Sequence, residues 1–193
     1  MASMKRWVIW ILLPLLVVIF AALCMWLKRM ESRRDIVEAG TVPALTVTST
    51  SFVNEEVIPA KFTCVCGDTS PQLSFSAPPA GTKSLALIVD DPDASLGSFT
   101  HWVVFNLPSD TRSLPEGASA HGDLLQGSNG FGKVGYGGPC PPAGSAHHYS
   151  FRVYALDTTL GLSSGATKKD VTRAARGHVL AEGKLTGLFQ RGQ

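Results

Sequence analysis

No basic stripe with interleaved aromatics runs through this sequence. Its 17 basic and 15 acidic residues are interspersed and leave a formal net charge of +2, so nucleic acid is not an expected partner. No internal repeat is visible. Cysteines are few, four in 193 residues. Cys64-Val65-Cys66 is too tightly spaced for the usual pair of zinc-binding cysteines, which argues against a metal site built from Cys64, Cys66, Cys140 and His147. No activated nucleophile with its own base and orienting group is evident, so no catalytic residue is assigned and no cofactor is expected. Two short motifs lack the context that would give them meaning. Gly130-Phe131-Gly132-Lys133-Val134-Gly135 fits a dinucleotide fingerprint. It follows Gln126-Gly127-Ser128-Asn129 and runs towards Pro139, Pro141 and Pro142, where a strand should precede and a helix follow. Gly161-Leu162-Ser163-Ser164-Gly165 fits a nucleophile elbow but lies in a loop after Leu156.

One stretch lacks charge altogether. Trp7–Leu27 contains no charged residue and is long enough to cross a hydrocarbon core of about 30 Å as a helix. Trp7, Trp10 and Trp26 lie towards its ends, as an aromatic belt would. The run is longer than a signal-peptide core and lacks a small-x-small cleavage site. A lipoprotein reading through Cys24 would want a small residue where Leu23 stands. The expected organisation is a tail at 1–6, a transmembrane anchor at 7–27, a linker at 28–43 and a folded domain at 44–193. Lys5 and Arg6 precede the span and Lys28, Arg29, Arg33 and Arg34 follow it, a count that places the domain in the cytoplasm.

What the domain has in quantity is turn chemistry. Its glycines and prolines, 19 and 12 in the whole chain, fall between short apolar runs, an all-β signature. Strands are expected at Leu45–Thr50, Gln72–Ser76, Ser84–Asp90, His101–Leu107, Tyr149–Leu156 and Lys184–Phe189. Ser84–Asp90 is almost wholly apolar, as befits a central strand covered on both faces. Ser109–Lys133 is a long polar connection. Thr167 and Asp170 resemble a capping box opening a helix through about Glu182, with Val171, Ala174, Ala175, His178 and Val179 as its inward stripe. The expected fold is mainly β: a two-sheet antiparallel sandwich of Greek-key type with short peripheral helices, behind the transmembrane helix.

Two segments carry the chemistry. The first is Asp90-Asp91-Pro92-Asp93-Ala94 with Thr100-His101-Trp102. Pro92 biases Asp91 towards an extended conformation and holds both carboxylates at a strand exit. The second is Gly135-Tyr136-Gly137-Gly138-Pro139-Cys140-Pro141-Pro142-Ala143-Gly144 with His147-His148-Tyr149. On a strand His147 and Tyr149 face one way and His148 the other, which makes His148 a bystander. Gly137 and Gly138 allow close backbone approach, and successive N–H groups there could form an anion nest.

These segments resemble the phosphatidylethanolamine-binding protein family, in particular its bacterial branch of Raf-kinase-inhibitor-like proteins, from about Leu45 to the C-terminus. The resemblance implies the same sandwich. It also implies a ligand pocket formed by Asp91, Asp93, His101, Gly137, Gly138, Pro139, His147 and Tyr149, with Ser95 at the rim where the family usually has proline. Cys64 and Cys140 match cysteines of exported members, which implies a Cys64–Cys140 disulfide, with Cys66 unpaired or taking the place of Cys64. A disulfide favours an extracytoplasmic domain, against the Lys/Arg count.

The leading expectation is a membrane-anchored binding module for a phosphate-bearing small molecule or phospholipid head group, with regulation of a protein partner as its further role. A hydrolase using His101 or His147 as base is the alternative. A third class is a kinase or protease inhibitor acting through its surface.

Overall fold

The computed structural model describes residues 42–95 and 97–192. The apolar span at 7–27 lies outside these residues. Among those described, no helix is long and apolar enough to cross a membrane. The strands are β1 (Val47–Thr48), β2 (Glu56–Val57), β3 (Leu73–Phe75), β4 (Ser84–Asp91), β5 (Phe99–Pro108), β6 (Ser113–Leu114), β7 (His147–Leu156) and β8 (Val179–Phe189). Among the described residues, one α-helix, α1 (Lys168–Ala175), and two single-turn 3₁₀ helices accompany them.

A five-stranded sheet in the order β2-β8-β7-β4-β5 faces a small three-stranded sheet, β1-β3-β6. Every residue of β4 is buried, and alternation sends its side chains into two cores. Leu85, Leu87 and Val89 pack between the sheets with Trp102, Phe151, Leu73 and Phe75. Ala86 and Ile88 pack on the outer side with Val103, Phe105, Tyr154 and, from α1, Val171 and Ala175. The expectation of a covered central strand therefore holds.

Two expectations need correction. The sandwich is not wholly antiparallel: β2 pairs in parallel with β8, Glu56 opposite Gly187. A two-residue strand at the sheet edge needs no hairpin to reach its partner, so its direction is set by the loop that delivers it. The helix also stops well before Glu182. Its capping box is real, with Thr167 Oγ1 accepting from the Asp170 N–H and Asp170 returning the bond. The chain leaves α1 at Ala175, passes Gly177 at φ 82° and enters β8 at Val179. Gly177 is the left-handed residue that commonly follows a helix end. His178 is not on an inward stripe; its Nδ1 lies 2.8 Å from Asp157 Oδ1 at the surface.

Candidate functional site

The site sits where β4 ends. Its last residue, Asp91, is buried and has both carboxylate oxygens engaged. Oδ1 accepts from the Asp93 N–H at 2.8 Å, closing a turn over Pro92 of the kind Asp favours. Oδ2 lies 2.7 Å from His147 Nδ1 at the start of β7. Asp93, two residues on, accepts from both the backbone N–H (2.9 Å) and Nδ1 (2.7 Å) of His148. Burial raises the Asp93 pKa, but the bonds and charge from His148 outweigh it and hold the carboxyl below its ordinary 3.8. His148 does face away from His147, yet it is no bystander: it anchors the second aspartate.

His101 reaches the site through a bulge. Val89 pairs with Trp102 and Asp90 with Thr100, which leaves His101 as an extra residue on β5. Strict alternation would point His101 with Val103 and Phe105 into the outer core. The bulge turns it instead against Tyr149, ring centroids 5.1 Å apart, a re-aiming typical of bulges beside functional sites. Its Nδ1 lies 2.6 Å from the Gly137 carbonyl oxygen. A carbonyl only accepts, so Nδ1 carries the proton and Nε2 of the neutral ring is a bare acceptor. Burial pushes the His101 pKa below 6.5; the Gly137 bond and the charges of Asp91 and Asp90 offset this only in part.

Asp91, Asp93, His101 and His147 line a cavity of about 220 Å³, joined by Ser95, Phe99, Phe131, Pro141, Pro142 and the Cys140 end of the disulfide. That is smaller than the usual drug-sized pocket of about 300–1,000 Å³ and suits a compact head group. Tyr149 stands behind His101. Burial first, then the neighbouring Asp91 carboxylate, hold its hydroxyl protonated far above the ordinary phenol range.

Gly137, Gly138 and Pro139 do not line the cavity; the Gly137 carbonyl holds His101, which does. Their expected role as an anion nest does not survive. The Gly137 N–H donates to the His101 carbonyl at 2.9 Å and the Gly138 N–H to Asp68 Oδ1 at 2.6 Å. The glycines are needed for packing: a Cβ on Gly138 would lie 2.6 Å from the Phe62 carbonyl oxygen. The Pro139 carbonyl accepts from the Cys64 N–H at 3.1 Å. Beside it Cys64 and Cys140 are bridged, with Cα atoms 5.4 Å apart, and Cys66 is free and exposed. The bridge removes two of the four ligands of the zinc alternative.

The sequence reading missed Phe99 and Phe131, whose rings meet edge to face at 4.8 Å. Phe131 lies inside the Gly130–Gly135 motif. That loop is no dinucleotide cradle but a turn in which Asn129 Oδ1 accepts from the N–H groups of Phe131 and Lys133. The signal was an aromatic exposed at a loop tip, and nothing in its neighbours in sequence tied it to His101.

The fold is an antiparallel-rich sandwich with a small, His- and Asp-lined cavity at one strand exit. The family model for phosphatidylethanolamine-binding protein matches residues 48–190, and the chain belongs to that family. The UPF0098 protein PH1269 of Pyrococcus horikoshii is 49% identical over 150 residues, spanning 74% of this chain and 75% of that one. LppC of Mycobacterium tuberculosis, whose name proposes a lipoprotein, is 38% identical over 147 residues, spanning 76% and 72%. The solved structure of the homologue CT736 from Chlamydia trachomatis superposes with a TM-score of 0.72 at 40% identity, over 77% of this chain and 98% of that one.

Proposed function

We propose that this protein is a binding module whose cavity holds a phosphate-bearing small molecule or head group, carried on a membrane-anchored domain outside the cytoplasm. The carrying observation is the His147–Asp91 pair. A buried carboxylate 2.7 Å from Nδ1 fixes the ring and leaves Nε2 as the nitrogen that can donate to an anion when the ring is protonated. Support for the anchor is the uncharged length of Trp7–Leu27 and the lipoprotein name of one relative. Support for an oxidising compartment is the Cys64–Cys140 bridge, because such bridges persist outside the cytoplasm. Titration calorimetry of the full-length protein in detergent with inorganic phosphate and phosphoethanolamine tests the binding reading. Saturable heat at millimolar ligand or below supports it, and a folded protein that takes up neither ligand refutes it.

A second reading rests on one further observation: Ser95 shares the cavity with His147. A hydroxyl, an imidazole and its orienting carboxylate are the elements of nucleophilic hydrolysis. Turnover of an activated ester, lost in both Ser95→Ala and His147→Ala, would favour it over simple binding.

A further inference from the structure

Three of the four cysteines belong to one cluster at the cavity. Cys140 lines the cavity wall. Cys64 is bridged to it, and Cys66, two residues beyond Cys64, keeps a free and exposed thiol. A thiolate attacks a disulfide sulfur and displaces the other one, so the cluster sets a nucleophile beside its own electrophile. The turn that carries Cys64 and Cys66 is short. The Cys66 N–H donates to the Thr63 carbonyl at 3.3 Å, with Cys64 and Val65 between them. Two residues span at most about 7 Å between Cα atoms even when extended, and a turn is shorter. Cys64 and Cys66 therefore fall in the Cα range of about 4.4–6.8 Å that a disulfide needs.

The surrounding bonds decide which exchange the fold allows. The turn is pinned to the Tyr136–Cys140 segment at three residues besides the bridge itself. The Tyr136 hydroxyl donates to the Phe62 carbonyl at 2.7 Å, the Cys64 N–H to the Pro139 carbonyl at 3.1 Å and the Gly138 N–H to Asp68 Oδ1 at 2.6 Å. These bonds lie on both sides of Cys64 and hold the register of the two segments. Passing Cys140 from Cys64 to Cys66 would require the turn to slide by two residues and break them. Passing Cys64 from Cys140 to Cys66 takes place inside the turn and leaves all three in place.

We propose that Cys64, Cys66 and Cys140 form a thiol–disulfide exchange site in which Cys66 is the internal nucleophile. The Cys66 thiolate attacks Cys64 Sγ. The Cys64–Cys66 bond forms as the Cys64–Cys140 bond breaks, and Cys140 leaves as a thiolate that takes up from solvent the proton Cys66 gave up. One disulfide and one thiol enter the step and one of each leave it, so no oxidant or reductant is consumed. What changes is the place of the thiol. It moves from an exposed turn into the wall that Asp91, Pro141 and His147 also line. A small monothiol reaches the same product by a second route: it displaces Cys140 from Cys64, and Cys66 then resolves the mixed disulfide. The exchange is independent of what the cavity binds.

The test holds the full-length protein in detergent at about pH 8 with 2-mercaptoethanol at about 0.1 mM, where a useful share of thiol is thiolate. Samples are quenched in acid over time, their thiols blocked, and the protein digested with trypsin. Cleavage after Lys61 and Lys83 leaves Cys64 and Cys66 on one peptide, and cleavage after Lys133 and Arg152 leaves Cys140 on another. The joined pair of peptides should give way to a first peptide closed by its own internal bridge and a second with a blocked Cys140. In Cys66→Ser the joined pair should persist at least about tenfold longer, because a thiol two residues away acts at an effective concentration of about a millimolar or more. Wild type whose exposed Cys66 has been alkylated beforehand makes the same comparison if that variant does not fold. Cys140→Ser gives a reading without kinetics: its Cys64 and Cys66 should be found bridged to each other in the purified protein. A joined pair that persists equally with and without the Cys66 thiol overturns the proposal. So does exchange that yields a Cys66–Cys140 pair, or a Cys140→Ser protein with both remaining thiols free.

Discussion

His147 Nδ1 lies 2.7 Å from Asp91 Oδ2, while Asp91 Oδ1 accepts from the Asp93 backbone at 2.8 Å. One buried carboxylate thus fixes an imidazole and a loop together. The same relationship repeats one residue along, with His148 on Asp93. Two neighbours at the start of β7 are clasped by two aspartates flanking a proline, and the cavity mouth is held by both clasps.

Asp91→Asn should separate charge from shape. The amide has one oxygen where the carboxylate has two, so it cannot accept from both His147 and Asp93, and it brings no charge to the hydrogen bond. Phosphate affinity should fall by about one to two decades, matching about 1.5–3 kcal/mol for a charge-assisted hydrogen bond. Calorimetry on variant and wild type measures it. Unchanged affinity would detach the dyad from binding.

Gly138→Ala should destabilise the protein by about 1–3 kcal/mol, an overpacking cost. The added Cβ would lie 2.6 Å from both the Phe62 carbonyl oxygen and Asp68 Oδ1. Neither can retreat easily, because Phe62 O accepts from the Tyr136 hydroxyl and Asp68 from the Gly138 N–H itself. Thermal unfolding compared with wild type is the check, and an unshifted Tm would mean that the loop has slack the packing does not show.

The extent to which the site could be read from the sequence follows from which physics is local. The β4 run is apolar at nearly every position because both faces are covered, and it reads as a central strand directly. The clustering of Asp91, Asp93, His101 and His147 in one cavity followed from two motif segments and their resemblance to a family. The bulge at His101 could not be read. A period-of-two argument assumes unbroken pairing, and whether β5 carries an extra residue depends on β4 across the ladder. His148 was misjudged for a similar reason, since its partner comes from another strand's exit. The helical pattern outruns α1 because His178 and Val179 continue a spacing that Gly177 ends.

Breaking the Cys64–Cys140 bridge should cost about 2–5 kcal/mol, since it closes a loop between residues 76 apart in sequence. Cys140→Ser and Cys64→Ser should lower the midpoint of unfolding alike, and the double variant should be no worse than either. Alkylation of the denatured, non-reduced protein should leave Cys64 and Cys140 unlabelled and mark Cys66, which mass spectrometry of the peptides resolves. Labelling of Cys64 with protection of Cys66 would mean that the partner had been exchanged.

Acid should unfold this protein partly through His101. Its folded-state pKa lies below the ordinary 6.5 because the ring is buried, so between those two values the unfolded chain binds a proton that the folded chain refuses. Stability is then present in full above about pH 6.5 and declines as pH falls towards the folded pKa, the sign that holds whenever the unfolded state binds more protons. Asp93 acts lower. Its folded pKa is below 3.8, so its contribution is present above that value and is lost as pH falls through the folded one. Replacing His101 with glutamine, which does not titrate, should lower stability at pH 7 yet flatten its decline between about pH 6.5 and 5. Denaturant unfolding at a series of pH values, wild type against variant, reads the slope. A decline in that window that is equally steep without the imidazole would assign it to other histidines, and His101 would not be the group that stays neutral in the fold.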